Sequence, residues 1–211
     1  MSPSGIDPAD PETRESLGLS TDEQAVLSRC AIARVRSTAG DDASCMNLYS
    51  PTQPTVLGLG PSFTDRGGFR FVDHAPLAPA AGDVAANPWT LLQADPRRSR
   101  DDRPTPVILD QATAQWALKL GGVGSRFELD TDGRRATCEI VGLLEPGMLQ
   151  GYVLMGEADF QRLFPQMSGY AMAFVEAPPD DADATLAARA VARAWSDAGP
   201  AVVRASERLR A

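Results

Sequence analysis

Histidine and lysine are almost missing from this chain: His74 and Lys119 are the sole examples in 211 residues. A single imidazole leaves the chain poor in the residue that most often carries acid–base and metal chemistry. Lys119 stands outside any Gly-x-x-x-x-Gly-Lys-Ser/Thr segment, so no P-loop is present. Cysteine is scarce as well. Cys30, Cys45 and Cys138 are odd in number and lack CxxC spacing, which removes zinc-ribbon and thioredoxin-like readings. They read as three separate small apolar side chains. A Cys30–Cys45 bridge, which needs an oxidising compartment, stays open as the alternative. No apolar run approaches the roughly 20 residues that span a bilayer. The opening Met-Ser-Pro-Ser-Gly shows no basic stretch followed by an apolar one, so no signal peptide is visible. Positive charge is short too: 20 Lys+Arg against 28 Asp+Glu leave a net charge of −8, which argues against a nucleic-acid partner.

What the chain does have is a soluble composition, 43% hydrophobic and 23% charged, with length for one domain or two lobes. Residues 1–19 read as an irregular lead-in. Ser20-Thr21-Asp22-Glu23 fits a capping box and predicts a helix over about 21–29. Ala31 to Arg36 alternates as a half-buried strand does. Gly40-Asp41-Asp42 is turn chemistry, and a short strand is expected near Val56-Leu57. Asn87-Pro88-Trp89 places a cap before a proline at the first helical position, predicting a brief helix to Leu92. Residues 94–106, rich in Arg, Asp and Pro, read as a linker and a lobe boundary.

Beyond it, Val107-Ile108-Leu109 reads as a buried strand, and Asp110 as the cap of a helix with Thr113, Trp116, Ala117 and Leu120 on one face. Gly121-Gly122-Val123-Gly124 ends that helix. A hairpin turns at Thr131-Asp132-Gly133 and returns over Ala136 to Leu144. A strand at Tyr152-Val153-Leu154 and a short helix burying Phe160, Leu163 and Phe164 follow. The C-terminal unit is a strand over Tyr170 to Val175, a helix capped by Asp183, and a strand at Ala201-Val202-Val203. That helix buries Ala187, Ala190, Val191, Ala194 and Trp195, with Arg189, Arg193 and Asp197 opposite. Trp116 and Trp195 are both expected to be buried, on different lobes.

Candidate chemistry is thin. Gly121 to Gly124 follows a helix and precedes a strand, the reverse of a phosphate-cradling order. Asp65 to Phe71 mixes aromatics with arginines, but in an acidic chain it reads as a loop entering a strand rather than a base-stacking platform. Asp73-His74 has no nucleophile elbow beside it and reads as a surface loop. Asp41-Asp42 and Asp180-Asp181-x-Asp183 are acidic clusters that could hold a cation; the latter lacks the glycine and terminal glutamate of a calcium loop, and acids at a helix N-terminus already have a dipole explanation. No catalytic, cofactor-binding or metal-binding residue is assigned.

Several segments together resemble the extracytoplasmic (periplasmic core) domain of MacB/FtsX-type ABC transporter permeases. They are Val107-Ile108-Leu109-Asp110 with its helix, Leu120-Gly121-Gly122-Val123-Gly124, and Cys138-Glu139-Ile140-Val141-Gly142-Leu143-Leu144. Leu149-Gln150-Gly151 and Phe160-Gln161-Arg162-Leu163-Phe164-Pro165 continue the pattern, and Gly40 to Leu48 is similar upstream. The resemblance covers about residues 30–205. It implies an α+β fold of two lobes: a larger mixed α/β lobe of about 20–103 and 168–211, and an inserted, smaller β-rich lobe of about 104–167. It also implies a non-enzymatic part in transport at the extracytoplasmic side of the inner membrane, coupling ATP-driven transmembrane motion to substrate handling or partner activation. The implied partners are an ABC ATPase subunit, a second permease copy, flanking transmembrane helices and a periplasmic partner, with no cofactor. A free-standing extracytoplasmic ligand- or protein-binding module is the alternative. The permease reading requires the strands near 31–36, 170–175 and 201–204 to share a lobe, with the insertion distal to the chain ends.

Overall fold

The computed structural model describes residues 18–38, 54–77, 87–93, 103–131 and 133–194. Gly40-Asp41-Asp42, Cys45, Asp132, Trp195, Asp197 and the strand expected at 201–204 lie outside those residues, as does most of 94–106. The described elements make an α+β fold with eight strands, in two compact units: residues 1–35 with 168–211, and residues 36–167.

The first unit is built from the two ends of the chain. Ser20 closes the expected capping box: its Oγ accepts from the Glu23 amide at 3.3 Å, and Glu23 Oε2 accepts from the Ser20 amide at 2.8 Å. Helix α1 (Thr21–Leu27) follows, and strand β1 (Ala31–Ser37) after it. From the far end of the sequence come β8 (Met172–Glu176) and an α-helix over Asp181–Ala194. β1 pairs with β8 antiparallel, Ala31 facing Glu176 and Val35 facing Met172. The helix is capped by Asp180, not Asp183: Asp180 Oδ1 accepts from the Ala182 and Asp183 amides at 2.9 and 3.1 Å. Asp183 is thereby left to ion-pair with Arg29 at 2.8 Å. The helix's small face, Ala187, Ala190, Val191 and Ala194, is buried. Leu19, Leu27, Ala190 and Val191 form the core of this unit.

The second unit holds a mixed sheet in the order β3-β6-β4-β7-β2, with β5 also on β6. Its strands are β2 (Thr55–Leu59), β3 (Phe71–His74), β4 (Thr105–Asp110), β5 (Arg126–Thr131), β6 (Arg134–Leu144) and β7 (Tyr152–Gly156). Helix α2 (Pro61–Thr64) and a 3₁₀ turn (Pro88–Leu92) lie between strands, and α3 (Glu157–Leu163) follows β7; the helix of the first unit is α4. All six residues of β4 are buried, as a strand flanked on both sides requires. Phe160 packs against β2 so closely that a Cβ on Gly58 would lie 2.7 Å from its ring. Val107, Leu109, Ile140, Val153 and Met155 fill the core beneath.

The first boundary falls at Val35/Arg36 rather than near residue 104. The reason is non-local pairing: β2 runs parallel to β7, and β3 antiparallel to β6, so 55–74 share a sheet with 105–156. The inserted unit is consequently the longer of the two.

Trp116 departs from expectation. It is 79% exposed, whereas Thr113 and Ala114 are buried. The cause is a π-helical turn over Thr113–Ala117, in which the Leu118 amide donates to the Thr113 carbonyl at 3.0 Å. A wider turn rotates each later residue off the face that 3.6-residue spacing predicts. Leu118 and Leu120 pack on the core instead.

Candidate functional site

One end of the second unit's sheet collects most of what is unusual in the molecule. Phe71 of β3 and Asp110 of β4 both face Leu144 of β6, so the strands meet there in register. Thr55 faces Tyr152 at the same end. Three loops therefore emerge together: 65–70, 111–120 and 145–151.

Main-chain and buried polar bonds tie these loops to one another. The Glu145 amide donates to the Arg70 carbonyl at 2.9 Å. Asp110, 1% exposed, accepts from the Thr113 amide at 2.9 Å through Oδ1. Its Oδ2 accepts from the Thr113 hydroxyl and from the Gly151 amide, the latter at 2.9 Å. Gly151 has φ of 86°, a left-handed conformation natural to glycine. Asp110 thus caps its turn as expected and also fastens the 145–151 loop.

The 65–70 loop is held by aromatic packing. Gly67, Gly68 and Phe69 take φ of 70°, 84° and 61° in succession. Trp89, fully buried, donates its indole Nε1–H to the Gly68 carbonyl at 2.9 Å. Phe69 stacks on Phe63 at 5.7 Å and meets Trp89 edge-on at 5.8 Å, yet remains 40% exposed. A left-handed non-glycine residue is strained, and such strain gathers where surrounding structure over-determines it. Phe69 and Lys119 are the two such residues among those described, and both belong to this end. Of the exposed large apolar residues among those described, Phe69 and Trp116 lie on these loops and Val72 in β3 just after the first of them.

The residues singled out in the sequence are not brought together. Asp73 Oδ1 accepts from the amide of His74, not from its ring, and His74 Nδ1 donates to the Ala75 carbonyl at 2.9 Å. The pair is a local turn at the exposed end of β3. Gly121 to Gly124 close the π-helical turn, with the Gly124 amide on the Ile140 carbonyl. No group of three His, Cys, Asp or Glu side chains suited to a metal is assembled among the described residues.

The described cysteines are free thiols. Cys30 is half-buried and its Sγ donates to the Val26 carbonyl at 3.3 Å; burial raises its pKa. Cys138 is fully buried in the second core, as expected, and burial pushes its thiol up to about 12. Glu23 is shifted downward, first by the Ser20 amide bond and further by the Ser20 hydroxyl and Arg193, against the opposing effect of burial.

Trp116 and Phe69 were not legible as an exposed pair. The residues were visible, but a π-helical turn leaves no trace in hydrophobic spacing, and Phe69 depends on Trp89 twenty residues away in sequence.

No family model matches this chain, and no curated protein matches it. Among solved structures it is similar to the extracellular domain of YknZ, a noncanonic ABC-type transporter from Gram-positive bacteria. That alignment has 13% identity and a TM-score of 0.38, covering 95% of this chain and 92% of that one. A domain of a protein assigned as a permease from Porphyromonas gingivalis aligns at 13% identity and a TM-score of 0.35. It covers 80% of this chain and 63% of the other. Scores of that size fall short of a shared fold.

Proposed function

We propose that the chain is a non-enzymatic extracytoplasmic domain of a MacB/FtsX-type ABC transporter permease, carried between two membrane-spanning helices. The observation that carries this reading is the closure of the first unit. A segment inserted between two spans must return its chain to the membrane it left. Here the first and last described strands pair antiparallel, with Ala31 facing Glu176, and both ends of the described chain belong to the unit of residues 1–35 and 168–211. Two ion pairs reinforce the closure, Arg29–Asp183 at 2.8 Å and Arg193–Glu23 at 3.1 Å, each joining α1 or its end to α4. The sequence resemblance over about 30–205 supports the same assignment.

In this mechanism an ATPase subunit moves the flanking spans, and β1 and α4 receive that motion together because they belong to one unit. ATP hydrolysis lies in the separate subunit, and a second permease copy completes the transporter. A periplasmic partner is engaged from the extracytoplasmic side of the inner membrane.

The test uses an antibody to the 211-residue chain on native cells. The antigen is expected to stay in membranes washed with alkaline carbonate and to run heavier than the isolated chain. Protease added to intact spheroplasts should digest it. An antigen the size of the chain that washes free of membranes would establish a free-standing module instead.

A further inference from the structure

We propose that Asp132 is a site of spontaneous covalent modification, isomerising to isoaspartate through a cyclic imide, with Asp130 as the base. Asp132-Gly133 is the sole Asp-Gly step in the sequence, and no Asn-Gly occurs. Imide formation joins a main-chain nitrogen to the side-chain carbon of the residue before it. The reacting groups are thus one peptide bond apart, and Asp132, outside the described residues, enters through that bond alone. What the structure supplies is the nitrogen. Gly133 is exposed, takes φ of 86°, and a Cβ there would find no atom within 4 Å. Beyond the adjoining residues nothing crowds it, and glycine brings no side chain of its own to hinder attack.

The amide proton is the obstacle, because the nitrogen attacks only as it loses that proton. Here the Gly133 N–H donates to Asp130 Oδ1 at 2.9 Å, within the roughly 2.6–3.2 Å reach of a general base. Strand pairing sets that contact. Asp130 faces Arg135 and Thr131 faces Arg134, and the Thr131 hydroxyl donates to the Arg134 carbonyl at 3.2 Å. The atoms balance without oxidant or cofactor. Asp132 first takes a proton from solvent to become a carboxylic acid. Its Cγ then bonds to the Gly133 nitrogen while Asp130 removes the amide proton. The Cγ–OH bond breaks, and that proton leaves with the hydroxyl as water. Water next opens the imide at either carbonyl. Opening at the main-chain carbonyl routes the backbone through the side chain, one methylene longer, with a carboxylate beside it; opening at the other restores aspartate. Loop length fixes hairpin register, so the longer tip works against the Thr131–Arg134 pairing.

Nothing in this chemistry depends on the permease reading. The 211-residue chain is incubated for weeks in warm, mildly acidic buffer and digested with trypsin, which releases Phe127–Arg134 as one peptide. Liquid chromatography separates its isomers, and electron-transfer fragmentation beside the extra methylene assigns the change to Asp132. The expected result is isoaspartate accumulating there, preceded by a species lighter by one water. Asp130→Asn and Asp130→Ala should each slow it about tenfold, less than the roughly 10²–10⁴-fold of enclosed bases, because solvent competes. Both variants should melt with the parent chain, since Asp130 is exposed. Asparagine keeps an oxygen to accept the Gly133 bond but cannot take its proton, so a purely structural role would leave Asp130→Asn like the parent. In urea, where the hairpin no longer holds Asp130 in place, the difference between parent and Asp130→Asn should vanish. No isoaspartate in the folded parent, or equal rates in the folded parent and Asp130→Asn, overturns the proposal. Faster conversion in Asp130→Ala overturns it as well, because the hydrogen bond would then guard the nitrogen. A difference that persists in urea overturns the part assigned to the fold.

Discussion

Gly156→Ala isolates a single steric contact on which the second unit depends. Gly156 caps α3 with φ of −64° and ψ of 145°, a conformation that alanine adopts freely. A Cβ there would lie 2.2 Å from the carbonyl oxygen of Leu92, the last residue of the 3₁₀ turn. The obstacle is backbone, so no side chain can swing aside. Relieving the overlap requires the turn to retreat by roughly 1 Å from β7, carrying Trp89 away from Phe63, Phe69 and Phe71. Overpacking of this kind costs about 1–3 kcal/mol, and a main-chain collision belongs at the upper end. Replacing glycine by alanine also stiffens the unfolded chain, offsetting about 0.4–1 kcal/mol. The expected net loss is about 2 kcal/mol in urea unfolding followed by tryptophan fluorescence in a Trp116→Phe/Trp195→Phe background, which leaves Trp89 as the reporter. Gly147→Ala is the control, because the nearest atom to its Cβ is 3.9 Å away; it should stay within about 0.5 kcal/mol of the parent. Equal stability of the two variants would refute the claim that the turn abuts the start of α3.

Three further outcomes follow from the cores and the junction of α1 with α4. Trp89→Ala should destabilise the second unit by about 3–5 kcal/mol and quench the packing that holds Phe69, read by urea unfolding. Cys138 should resist iodoacetamide at pH 8 while folded and react once the chain is unfolded in urea. With a folded pKa of about 12 against an ordinary 9.0, its contribution to stability is complete below pH 9 and is lost as pH climbs toward 12. For Glu23 the sign is opposite: its folded pKa lies below 4.5, so its stabilisation is present above that value and is lost as pH falls through the folded pKa. Glu23→Gln should flatten the acid limb of a pH–stability profile, and an unchanged limb would show that the capping box and Arg193 do not set it.

Local grammar was readable in the sequence because its causes are local. The capping box at Ser20 and Glu23, the Asn87–Trp89 cap and the hairpin between β5 and β6 each depend on residues a few positions apart. Even the buried face of α4 follows from spacing alone. The first boundary of the insertion did not, because it is set by β2 meeting β7 across nearly a hundred residues. Trp116 was assigned to the core on α-helical spacing, and one additional residue in the turn moved it to the surface. At the candidate site, the Arg–aromatic run before β3 was visible, but its exposure depends on the buried Trp89 ring. Asp110 was recognised as a cap; its second bond, to Gly151, is a tertiary event.

The pairing of β1 with β8 also has a kinetic meaning. The Arg29–Asp183 and Glu23–Arg193 contacts join residues 154 and 170 positions apart. Closing a flexible loop of that length costs about 4.5 kcal/mol in chain entropy before any contact is made. The contiguous residues 36–167 have a long closure of their own, β2 onto β7 across 97 positions, but all of them leave the ribosome before α4 does and can collapse first. Once they have done so, most of the intervening chain is already ordered and the remaining closure is short. The first unit is therefore the last to assemble, and it waits for α4 to be synthesised. In a refolding experiment on a Trp116→Phe/Trp195→Phe background, its ion pairs should appear only after the Trp89 emission has reached its native value.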